Sequence, residues 1–171
     1  MDEDKLNRLP PDVKKQFLKY ALKLSEKKTK SKVHDDFLSF VKHVWPEFIE
    51  GPHHKKIAEK FNRLAKGEVK RLIINMPPRH TKSEFASFLL PSWMVGRKPD
   101  LKIIQTTHTT ELAIRFGRKA KNLMDSPEYK QVFQTRLKED SQAAGKWETE
   151  QGGEYYAAGV GSAITGRGAD L

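Results

Sequence analysis

Twice along this chain a short β-branched apolar run passes through a tight polar loop into a helical pattern, and that alternation limits the fold more than any other feature. VKRLIIN at 69–75 leads through MPPRHT into KSEFASFLL, and LKIIQTT at 101–107 leads into TTELAIRFGRKAKNLM, where Leu112, Phe116 and Leu123 recur along one side. Buried strands alternating with helices imply a parallel α/β sheet, because parallel neighbours need a crossover connection. Ligands of such sheets bind at the carboxyl ends of the strands, which singles out Asn75 to Ser83 as the place to look for a site.

The flanking segments read as follows. Pro10 and Pro11 open an amphipathic helix carrying Val13, Phe17, Tyr20, Ala21 and Leu24, and KKTKSK at 27–32 reads as a basic linker. Asp35 or Asp36 is placed to cap a second helix with Phe37, Phe40, Val41 and Val44, which Pro46 stops. A third helix starts near Pro52, shows Ile57, Phe61 and Leu64 on one face, and ends at Gly67. Beyond Ser126-Pro127 a short helix holds Tyr129, Val132 and Phe133; KWETEQ and EYYAAGV then read as a hairpin turning at Gly152-Gly153. After the glycine-rich GVGSAITGRGADL, Leu171 is placed to open another apolar strand.

Composition excludes whole classes of function. With 171 residues, 37% hydrophobic and 32% charged, the chain suits one folded domain rather than a disordered one. No apolar run approaches the roughly 20 residues that cross a bilayer, and MDEDKLNRLPPD lacks the hydrophobic core of a leader, so a soluble, unexported chain is expected. The absence of cysteine removes disulfides, thiolate metal sites and cysteine nucleophiles. A net charge of +10 points to a polyanionic partner, and the surplus is uneven: 11 basic and 9 acidic groups precede residue 51, 21 and 13 follow. His34, Asp35, Asp36, His53 and His54 are potential metal ligands, but adjacent side chains diverge on a helix and make a poor chelate.

Lys82-Ser83 stands at a helix start, where unpaired N–H groups and the helix dipole favour phosphate oxygens. In the common phosphate loop, GxxxxGK[ST], the lysine neutralises the β and γ phosphates and the hydroxyl ligates magnesium. Here Met76 and Thr81 occupy the two glycine positions, and Arg79 adds a second cation. The plainer alternative is a solvated helix start after a proline turn.

RLIINMPPRHTKSE, KIIQTTHTTELAIRFGRKAKNLM and GVGSAITGRGADL, in that order, resemble the ATPase domain of the terminase large subunit, the DNA-packaging motor of tailed bacteriophages. The resemblance spans about residue 52 to residue 171. It implies a P-loop NTPase fold of the additional-strand, catalytic-glutamate type, a parallel sheet flanked by helices, behind an N-terminal helical segment at 1–50; the incomplete ATPase domain is 51–171, and the family's nuclease domain is absent. PPRHTKSE then corresponds to a deviant Walker A loop, with Pro78, Arg79, His80, Thr81, Lys82, Ser83 and Glu84 around the nucleotide, Ser83 on the magnesium of Mg-ATP, and catalytic roles for Arg79 and Lys82. The family usually has glycine at the position of Thr81, and a β-branched residue tolerates positive φ poorly.

By the same resemblance, His54 lies where related motors place an adenine-contacting motif, the alternative being a surface histidine at a helix start. TTHTTELA at 106–113 corresponds to a motif Ia-like segment; Arg115, Arg118 and Lys119 share a face of the helix that follows, facing either DNA phosphates or plain solvent. Arg167 corresponds to an arginine finger that reaches the ATP of a neighbouring subunit, the alternative being a flexible glycine turn. The implied partners are double-stranded DNA, the portal, the small terminase subunit and further copies in a ring, with no membrane, in the host cytoplasm and transiently on the procapsid. The family's Walker B strand with its acids follows the segment matched by GRGADL, so the expectation is that these residues alone bind nucleotide but hydrolyse it little. A non-hydrolysing basic DNA-binding or assembly module and a helicase-like translocase fragment are the competing readings.

Overall fold

The computed structural model describes residues 10–171; the leaderless reading of residues 1–9 lies outside them. Helix α1 (Pro11–Asp35) starts with proline at its first turn and runs without a break through KKTKSK, so the expected linker is helical. That segment has neither glycine nor proline, lysine is a good helix former, and Val33 anchors the helix end in the core. Asp36 then separates α1 from α2 (Phe37–Val44), and its carboxylate accepts from Ser39 N–H at 2.8 Å as the N-cap.

Helix α3 (Pro52–Ala65) follows and is closed by Gly67 at φ 77°. The next helix, α4, is continuous from Lys82 to Arg97 in three parts: an α turn Lys82–Glu84, a π segment Phe85–Leu89, and Leu90–Arg97. Pro91, which has no N–H to give to the preceding turn, comes two residues after the last residue of the π winding. Strand β1 (Lys102–Thr107) leads into α5 (Thr110–Asp125), capped by Thr109, and α6 (Pro127–Val132), capped by Ser126. Strands β2 (Leu137–Ala143), β3 (Lys146–Thr149) and β4 (Glu154–Gly159) complete the elements.

The sheet has the order β1-β4-β3-β2 and is mixed, not parallel as expected. β1 and β4 are parallel, with Ile103 opposite Tyr155, whereas β3 is antiparallel to both β4 and β2. The β3–β4 hairpin turns at Gly152, φ 89°, as its sequence suggests. β2 escapes a reading of periodicity because LKEDSQA is too polar to announce a strand. On the other edge of β1, Leu171 lies between Lys102 and Ile104, accepting from Ile104 N–H at 2.9 Å and donating to the Lys102 carbonyl at 3.3 Å.

Residues 69–75 are not a strand of this sheet. From Arg71 to Met76 exposure alternates strictly, with Leu72, Ile74 and Met76 packed on the core and Ile73 85% exposed, yet no strand among the described residues pairs with the segment. It has the pleat and the one-sided burial of a strand without the ladder.

Packing is continuous across residue 50. Phe37 of α2 meets Phe61 of α3 and Phe85 and Trp93 of α4 edge-to-face, with ring centroids 5.0, 5.4 and 5.5 Å apart. Two of the buried polar tips are answered, Trp93 donating to the His34 carbonyl at 3.1 Å and Tyr129 to that of Ser92 at 2.8 Å, whereas the buried Tyr155 hydroxyl has no partner among the described residues. On the sheet, α5 lays down Ala113, Phe116, Gly117 and Ala120. The small residues bring its backbone close enough for Trp147 to donate to the Gly117 carbonyl at 3.3 Å.

Candidate functional site

The loop from Pro77 to Thr81 is held at both ends by apolar anchors, Leu72, Ile74 and Met76 before it and the fully buried Phe85 after it. Between them Pro78, Arg79, His80 and Ser83 are exposed and Thr81, Lys82 and Glu84 half-buried. Arg79 and Thr81 have φ of 64° and 60°, the two non-glycine residues with positive φ among those described. Such conformations cost on the order of 1–3 kcal/mol each and persist only when the surroundings impose them.

The surroundings of Thr81 are identifiable. Pro52 begins α3 behind the N-cap Gly51, and His54, at the third helical position, reaches back so that its Nδ1 accepts from Gly51 N–H at 2.8 Å, the part usually played by Glu or Gln. Its other nitrogen, Nε2, lies 2.7 Å from Thr81 Oγ1, and Thr81 donates its own proton to the His80 carbonyl at 2.7 Å. The ring is 5% exposed, packed between Phe48, Phe85 and His53. Burial, and then the neighbouring His53, hold its pKa below the ordinary histidine value, which favours the neutral ring.

Thr81 occupies the N-cap position of α4, but its hydroxyl makes no capping bond, being committed to His54 and His80. The first bond of the helix is Phe85 N–H to the Thr81 carbonyl at 2.9 Å, which leaves the N–H groups of the preceding turn outside the helical ladder. Lys82 Nζ donates to the Met76 carbonyl at 2.9 Å, bridging the positions where a common phosphate loop starts and ends. Arg79 and Ser83 make no hydrogen bond or ion pair among the described residues. Two cations, a free hydroxyl and an uncapped helix start therefore lie within five residues of chain, an arrangement suited to an anion with several oxygens.

The other candidates lie elsewhere. Lys119 does not stand free on α5: its ammonium is 2.6 and 2.8 Å from the two oxygens of Glu84, tying α5 to the first turn of α4. Arg115 and Arg118 are exposed and unpaired among the described residues. Arg167 is held within its own chain, 2.6 Å from Glu154 Oε1 and 3.9 Å above the ring of Tyr156, two residues on one face of β4.

The sequence offered His54 as an adenine contact by resemblance, or as a surface histidine at a helix start; the structure buries it and bonds it to Gly51 and Thr81, and the signal for the first of these bonds was its position three residues after the N-cap glycine. It missed Glu84–Lys119 altogether, since nothing local relates residues 35 positions apart. No group of three or more His, Asp or Glu among the described residues could hold a metal ion, and no helix among them is long and apolar enough to cross a membrane. No protein-family model, curated protein or solved structure matches this chain.

Proposed function

We propose that the 76–83 loop is a polyphosphate site and that the chain is the N-terminal ATPase portion of a phage terminase large subunit, in which Mg-ATP drives double-stranded DNA into a procapsid. The observation that carries the phosphate site is the uncapped start of α4 behind Lys82 and Arg79. The order of the three motif segments supports the family. In this reading Lys82 leaves the Met76 carbonyl for the phosphates, Arg79 meets the outermost phosphate, and Ser83 offers its hydroxyl to a nucleotide-bound magnesium. The ion would supply charge neutralisation between phosphates, and the protein's part is to position them.

Arg115 and Arg118 supply a cationic face for DNA backbone phosphates, which a packaging motor must grip without reading sequence. Arg167 acts on a neighbouring copy only after leaving Glu154 and Tyr156. The portal and the small terminase subunit remain the proposed protein partners.

Titration calorimetry with Mg-ATP, with Lys82→Ala alongside, tests the phosphate site. Saturable binding by the wild-type chain, weakened at least tenfold by the substitution, is the expected result. Equal binding by both, or binding by neither, removes the site. A non-hydrolysing DNA-binding module is the second reading, favoured by the exposed, unpaired Arg115 and Arg118; it predicts DNA affinity that is indifferent both to Mg-ATP and to Lys82→Ala.

A further inference from the structure

A threonine at the last position of a phosphate loop ought to be harmful twice over. Its Cβ resists positive φ, and its hydroxyl is the natural N-cap for the helix that follows, competing for the N–H groups an anion would use. In this chain Thr81 takes φ of 60° all the same, and its hydroxyl makes no cap because it is turned to His54.

The bonds fix one arrangement of protons. Gly51 N–H can only donate, so His54 Nδ1 must accept and carries no proton. A neutral imidazole then has its single proton on Nε2, and that proton goes to Thr81 Oγ1. Thr81 in turn has one proton and gives it to the His80 carbonyl. The relay therefore begins at the helix cap of α3 and ends in the loop, with every donor used once. The direction of the pKa shift agrees, since the same burial that packs the ring favours its neutral form.

Building on the phosphate-site reading, we propose that His54 is the positioning residue of the loop: by binding the Thr81 hydroxyl it holds Thr81 in the left-handed conformation and keeps that hydroxyl off the start of α4, leaving the helix N–H groups to the anion. His54 and Thr81 form a unit that replaces the glycine of the common loop. A glycine at 81 adopts positive φ unaided and has no hydroxyl to restrain, so it makes His54 dispensable.

The experiment is a cycle of four chains, wild type, His54→Ala, Thr81→Gly and the double variant, with two readouts. Mg-ATP affinity by calorimetry is expected to fall at least tenfold on His54→Ala in the threonine background and less than twofold in the glycine background. The same factor in both backgrounds overturns the proposal. Amide hydrogen exchange at Lys82, Ser83 and Glu84 without nucleotide gives the second readout: His54→Ala is expected to change protection at these amides when Thr81 is present and not when Gly replaces it.

Long-range proton–nitrogen spectra of the ¹⁵N-histidine-labelled wild type add a measurement that needs no variant. They are expected to show His54 protonated on Nε2, and the Nδ1–H form overturns the proposal even if His54→Ala fails to fold. Absence of Mg-ATP binding by all four chains defeats the phosphate-site reading, whereas exchange and tautomer still decide the role of His54 in shaping the loop.

Discussion

Asp36 shows how one side chain joins two helices. One carboxylate oxygen caps α2 through Ser39 N–H, and the other accepts from Asn62 Nδ2 of α3 at 2.8 Å, while Asn62 Oδ1 accepts from Phe37 N–H at 2.8 Å. Burial works against the charge, but the bonds from Ser39 and Asn62 prevail and hold the carboxyl below its ordinary pKa. A carboxylate whose folded pKa is depressed adds stability that is present above its unfolded pKa, near 3.9, and is lost as pH falls through the folded value. Asp36→Ala removes the cap and strands Asn62, and is expected to cost about 1–3 kcal/mol at pH 7. Asp36→Asn keeps a capping oxygen without a titrating group. Urea unfolding from pH 7 down to about pH 2.5 is expected to show wild type losing its advantage over Asp36→Asn as the carboxyl protonates. An advantage that stays constant over that range would mean that charge plays no part in the bridge.

At the scale of elements, the segment at 71–76 and helix α5 pose opposite packing problems. Ile73 faces solvent and Ile74 the core, so Ile73→Ser is expected to change stability by less than about 0.5 kcal/mol, and Ile74→Ala to cost about 1–3 kcal/mol. Equal effects in urea would show that the alternation does not persist in solution. In α5 there is no room to spare: a Cβ on Gly117 would run into the Ala144 carbonyl and the Tyr155 ring. Gly117→Ala is therefore expected to lose about 1–3 kcal/mol despite its better helix propensity, read as a lower urea midpoint at unchanged slope.

These elements also mark where sequence was legible. The helices from α2 to α6 and strands β1, β3 and β4 follow from apolar spacing, caps and turn glycines, all local signals. The extended course of 69–75 was legible from its β-branched run, but not that Ile73 faces solvent, nor that the segment lacks a partner among the described residues, since a ladder depends on a neighbour that no local pattern names. At the candidate site, Lys82 and Arg79 were readable as cations near a helix start. The His54–Thr81 bond joins residues 27 positions apart and becomes visible only when α3 and α4 are packed together.

Over the whole molecule the net charge of +10 is less informative than which cations are free to act. Lys119 is neutralised by Glu84 at half-exposed positions, Arg167 by Glu154, whereas Arg115 and Arg118 are unpaired among the described residues. Binding to a duplex through backbone phosphates releases counterions, so the slope of log K against log salt counts the contacts, close to one unit for each. Arg115→Ala and Arg118→Ala are each expected to lower that slope by about one and to weaken binding alike on unrelated sequences. Lys119→Ala should change it by clearly less, because that charge is already spent on a carboxylate 2.6 Å away. Glu84→Gln reverses the argument: it frees the Lys119 ammonium and is expected to steepen the salt dependence. Fluorescence anisotropy with two duplexes of equal length and different sequence, over about 50–200 mM salt, separates these outcomes. A slope that drops as much for Lys119→Ala as for Arg115→Ala would mean the Glu84 pair opens when DNA arrives, making the first turn of α4 a link between DNA contact and the phosphate loop. A slope untouched by any of the three would place the DNA-binding surface away from α5.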